Sequence, residues 1–126
     1  MTPRNYEKNG RDHGKGERLR SAKHRAWVRQ HLCLAWARRE CQGAVEAAHC
    51  RDVAPAGHGG SRPGDEWCAP MCRRHHAEAE KRERAWGLEM GIDVAAECAD
   101  FASKSPDKAI REAAKEMRKA LAPVMA

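Results

Sequence analysis

A chain of 126 residues and 14.1 kDa holds one small domain plus tails, which excludes barrels and doubly wound folds. Its hydrophobic fraction of 41% misleads, because 23 Ala stand against 5 Leu, 2 Ile, 5 Val and 1 Phe, so these four large types supply only 13 of 126 residues. Burial on that scale does not offset the ordering entropy of a domain, and the net charge of +6 adds self-repulsion.

A staple is therefore needed, and 6 Cys with 7 His make a metal ion the first candidate. Residues 1–40 carry 11 basic and 4 acidic side chains, residues 41–126 carry 13 and 14, so the whole surplus sits at the front, as suits a polyanionic partner. No apolar run approaches the length of a signal-peptide core or a membrane span. The expectation is a cytoplasmic protein with no membrane partner, in a reducing compartment where cysteines bind metal or pack.

Residues 1–20 lack periodicity and read as a disordered basic arm. Ser21 then caps a short helix whose Ala22, Ala26 and Trp27 share a face, ending near His31 and Leu32. The run from Ala44 to His49 suits one strand of a hairpin. Pro55 to Gly64, with four Gly and two Pro, is a loop, and Asp65 to Met71 predicts the second strand. From Cys72 a helix runs to about Met90, with Gly91 as its stop. Asp93 caps a further helix with Val94, Cys98 and Phe101 on one stripe, and Ser105-Pro106-Asp107 starts a last one with Ile110, Ala113, Met117 and Leu121 together. These elements divide the chain into an arm (1–20), a zinc-stabilised core (21–92) and a C-terminal helical extension (93–126). The few aromatic residues are committed to helices and give no base-stacking platform.

Two residue sets carry chemistry. Cys33 and Cys41, with seven residues between them, precede the hairpin, and the pair Cys72-x2-His75 follows it. Two short-spaced pairs on separate elements are the usual way to assemble four tetrahedral zinc ligands. Separate buried thiols are the alternative, and packing is the expectation for Cys50, Cys68 and Cys98. The second set is His49 at the end of the first strand, Asp65 at the start of the second, and His76 with Glu80 four apart on one helix face.

A strand, loop, strand and helix bearing His, Asp and His in that order resembles the HNH nuclease superfamily. More narrowly, Ala-Trp-Val-Arg-Gln-His-Leu-Cys (26–33), Val-Glu-Ala-Ala-His-Cys-Arg (45–51), Gly-Gly-Ser-Arg-Pro-Gly-Asp-Glu-Trp (59–67), Met-Cys-Arg-Arg-His-His-Ala-Glu (71–78), Glu-Arg-Ala-Trp (83–86) and Gly-Ile-Asp (91–93) are similar to its phage and prophage branch, which includes the Ref recombination-enhancement nuclease. The resemblance covers about residues 22 to 106. It implies a small α+β fold with a ββα-metal core, structural Zn2+ and a catalytic Mg2+ or Mn2+, or a second Zn2+. It also implies metal-dependent cleavage or nicking of DNA in phage or prophage recombination or processing, with a recombinase filament as a further partner. His49 matches the general base, Asp65 the residue that braces it, and His76 the cation ligand, joined by Glu80. Ala48 stands where many members carry an acid or His, and Glu80 where relatives often carry a His. The alternative is a catalytically inactive, zinc-stabilised nucleic-acid-binding module.

Overall fold

The computed structural model describes residues 18–37, 40–55 and 63–121; the arm up to residue 17, His13, His58 and most of the glycine-rich loop lie outside them. Five helices and a two-stranded antiparallel sheet make a small α+β fold. Helix α1 spans Ala22–Val28, β1 Val45–His49 and β2 Cys68–Cys72, followed by α2 (Arg73–Ala79), α3 (Glu83–Met90), α4 (Val94–Ser103) and α5 (Lys108–Leu121). The strands pair from Val45 opposite Cys72 to His49 opposite Cys68. Among the described residues no helix is long and apolar enough to cross a membrane.

All five residues of β2 are buried, because helices pack on the sheet and the chain after α1 lies along its open edge, where the Leu34 N–H donates to the Pro70 carbonyl at 2.9 Å. Pro70 is tolerated on that edge because β1 runs along the other side. Trp67, Trp86, Met71, Ile110, Met117 and Val28 fill the interior. Alanines at 69, 79, 99, 102 and 114 are also buried, so elements approach closely and α4 and α5 share one core with the hairpin.

Several boundaries differ from those expected. The second strand does not begin at Asp65: Asp65–Trp67 is a 3-10 turn and the strand starts at Cys68. This turn forms because the Asp65 N–H donates to the Leu19 carbonyl at 2.7 Å, and its side chain is drawn inward. The same bond ties down Leu19, the second of the described residues. Helix α1 ends at Val28, short of His31. Helix α2 does not continue to Met90 but stops at Ala79, with Glu80 extended and Lys81 at φ 67°. No Gly or Pro marks this break. The buried Glu83 carboxylate makes it by accepting the Lys81 N–H at 3.1 Å and the Asp52 N–H at 3.2 Å, a local bond that competes with the helix. The last helix is capped by Asp107, which accepts from the Ala109 N–H at 2.9 Å; Ser105 accepts from the Asp107 N–H one step earlier. Gly91 does stop α3 in the left-handed region (φ 74°), and Asp93 does cap α4 through the Ala96 N–H.

Asp65 anchors the molecule's polar interior. Only 1% exposed, it accepts from the Ser21 N–H at 2.6 Å, from the Arg25 guanidinium and from His49 Nε2 at 2.8 Å. Ser21 meanwhile caps α1 through the His24 N–H and donates its hydroxyl to Asp107, so α1, the hairpin and α5 meet at one point. Burial pushes the Asp65 carboxyl up, but the bonds from His49 and Ser21 and the Arg25 charge outweigh it and hold it below its ordinary value. Asp65→Ala should therefore cost about 2 to 4 kcal/mol in urea unfolding, since it strands a buried N–H and a guanidinium. The sign with pH follows from the lowered value: the contribution is present above about pH 4 and is lost as pH falls through the native value. The variant's stability should accordingly fall less steeply with acid than the parent's.

Candidate functional site

Cys33, Cys41, Cys72 and His75 converge, with one ligand atom from each lying within 4.8 Å of the others. His75 Nδ1 is 3.4 Å from Cys33 Sγ, 3.7 Å from Cys41 Sγ and 3.2 Å from Cys72 Sγ. A tetrahedral ion with sulfur at about 2.3 Å and nitrogen at about 2.05 Å has sulfur-to-nitrogen edges of about 3.6 Å, so the cluster could hold a metal ion such as zinc. Cys72 caps α2 and accepts the His75 N–H at 3.4 Å, while Cys33 accepts the Ala35 N–H at 3.4 Å, as expected of thiolates oriented for a cation. The thiols do not titrate alike. Burial and then hydrogen bonds with Cys33 and Cys72 push Cys41 up to about 12, whereas the N–H groups of His75 and Gln42 hold Cys72 below the ordinary value despite its burial. The Cys72 proton is therefore the easier of these two to lose, and that of Cys41 leaves only against a compensating positive charge.

His49, Arg51, His76, Glu80, Lys81 and Glu83 line one polar pocket of about 140 Å³. Two roomier depressions, of about 370 and 390 Å³, contain no histidine. Each pocket histidine is held on one ring nitrogen by a carboxylate. His49 Nε2 meets Asp65 Oδ1 at 2.8 Å, and His76 Nδ1 meets Glu46 Oε1 at 2.7 Å. The bond from His76, opposed by burial and helped by Arg73, keeps the Glu46 carboxyl below its ordinary value, and Asp65 is likewise held low. An ionised carboxylate only accepts, so His49 Nε2 and His76 Nδ1 are donors. The tautomer that fits these bonds has its lone pair on His49 Nδ1 and on His76 Nε2.

His49, Asp65 and Cys68 also bring ligand atoms within 4.8 Å of one another. Both Asp65 oxygens are already engaged there, and burial, with the Asp65 charge next, holds the Cys68 thiol protonated. The bonds within this group brace His49. Of the candidates from the sequence, Cys33, Cys41, Cys72 and His75 form the cluster, His49, His76 and Glu80 line the pocket, and Asp65 is buried behind His49. His76 and Glu80 share the pocket without a third ligand atom close enough to form a grouping of three among the described residues. Water and phosphate oxygens commonly complete the shell of magnesium or manganese. Glu46, Arg51, Lys81 and Glu83 were not read from the sequence. Glu46 precedes His49 by three on β1, and only the fold of α2 back over that strand brings it to His76. Lys81 depends on the unannounced break after α2.

The purified protein should carry one tightly held metal ion per chain. Cys72→Ser should lose it in metal analysis and lower Tm by at least 10 °C, since metal binding and folding share one free energy. No family model matches the chain, and no curated protein or solved structure matches it either.

Proposed function

We propose that the protein is an HNH-type endonuclease or nickase that cleaves DNA with a divalent cation, in phage or prophage recombination or processing, and that Cys33, Cys41, Cys72 and His75 hold a structural zinc. The observation that carries this reading is the pair of histidines on one pocket, His49 braced by Asp65 and His76 by Glu46, with their lone-pair nitrogens on opposite ring positions. The order of these residues along the chain, on β1, the 3-10 turn before β2 and α2, supports it, as does the basic front of the chain.

His49 Nδ1 takes the proton of the attacking water as the new bond to phosphorus forms and the bond to the 3′ oxygen breaks. Asp65 fixes the tautomer this requires and steadies the imidazolium that results. Arg51 and Lys81 border the pocket and suit the phosphate oxygens. His76 Nε2 and Glu80 would hold Mg2+ or Mn2+, which when bound supplies positive charge to the scissile phosphate and the departing oxygen. Ala48 is only 1% exposed and contributes no ligand. Glu80 is the residue on which the cation requirement turns.

Supercoiled plasmid and single-stranded DNA incubated with the protein in Mg2+ or Mn2+ should be nicked or cut. His49→Ala should slow this by about 10²- to 10⁴-fold while metal content and DNA binding stay as in the parent. Glu80→Ala should shift the Mg2+ to Mn2+ preference. A parent that binds DNA but cuts nothing under these conditions, with or without a recombinase filament, is instead a nucleic-acid-binding module.

A further inference from the structure

Three of the four tryptophans are accounted for by packing. Trp67 and Trp86 are 0% and 1% exposed, and Trp27 lies against His31 and Phe101 with ring centroids 4.5 and 5.9 Å away. Trp36 differs: it lies in a turn outside any helix and is 59% exposed, with Leu32 nearby in the chain at 62%. Its backbone, in contrast, is anchored. The Trp36 N–H donates to the Cys33 carbonyl at 2.9 Å, Leu34 is bonded to the edge of β2, and Ala35 is buried with its N–H on Cys33 Sγ. The backbone that carries this exposed indole is thus held before any partner arrives.

The charge of the chain segment that leads to it suits one kind of partner. From Arg18 to Ala37 the chain has Arg18, Arg20, Lys23, Arg25 and Arg29 and no acidic residue. Of these, Arg25 is committed to Asp65, while Lys23 and Arg29 are exposed. A purely apolar protein partner has no use for such a field, whereas a nucleic acid offers phosphates to the cations and π-faces to the ring. Bases within an intact duplex are already stacked and closed to an indole. We infer that Trp36 is a stacking platform for an unpaired base, so the DNA this protein engages is single-stranded or locally opened. This rests on the nucleic-acid reading above; Trp36 is not committed to a helix, although the sequence led us to expect that of the aromatic residues.

The test uses the full metal-loaded chain without added divalent cation, titrated into a fluorescein-labelled 20-mer of oligo-dT and into a duplex of equal length. Binding of oligo-dT should quench intrinsic tryptophan fluorescence. Trp36→Ala should remove that quenching and weaken oligo-dT binding by about 5- to 100-fold, while duplex binding changes far less. Trp36→Leu keeps apolar bulk without a π-face and should behave like the alanine variant; Trp36→Phe should retain much of the affinity. Metal content of each variant should match the parent. Oligo-dT binding by the parent without quenching, or undiminished oligo-dT binding by Trp36→Leu, overturns the inference and leaves the nuclease reading standing. A parent that binds neither probe removes the nucleic-acid reading itself.

Discussion

The convergence of three thiols and one imidazole is the constraint on which the rest of the molecule depends. Those four groups come from the chain after α1, the approach to β1, the end of β2 and the first turn of α2. A core built largely from alanine and a few large side chains cannot hold these segments together by burial alone. A cation at the cluster would join them at one point. Because Cys72 ends β2 and caps α2, the same centre also sets the angle at which the helix leaves the sheet.

That angle is what makes the pocket. His75 and His76 are adjacent on α2, so fixing the first toward the cluster turns the second toward β1, where Glu46 accepts its Nδ1 proton. Asp65 plays the matching part for His49 while closing the polar contacts of α1. Stability and site geometry are therefore coupled at both histidines. A change at either carboxylate alters the fold's polar interior or helix setting together with the ring it holds.

Much of this arrangement was legible in the chain, for identifiable reasons. Cysteine spacing and the sparse apolar content pointed to the four-residue cluster, because thiolate and imidazole pairs have few other uses at such separations. Ser21, Gly91 and Asp93 marked helix ends through local hydrogen bonding and backbone conformation, which sequence carries directly. The break after Ala79 was hidden because its cause is long-range: Glu83 bonds to a turn more than thirty residues earlier as well as to Lys81. The 3-10 turn at Asp65 was hidden for the same reason, since its partners Leu19, Ser21 and Arg25 lie forty or more residues away. Glu46 carries no signal of its own, since only the packing of α2 on β1 brings it to His76, and Trp36 looked like one more helical aromatic.

The central claim is that a metal ion bound by Cys33, Cys41, Cys72 and His75 holds the fold that positions the pocket. X-ray absorption at the metal edge of the purified protein tests it most directly. The account predicts zinc in a four-coordinate shell of three sulfurs at about 2.3 Å and one nitrogen at about 2.0 to 2.1 Å. A shell of oxygen and nitrogen without sulfur, or a folded protein with no metal at all, would contradict it.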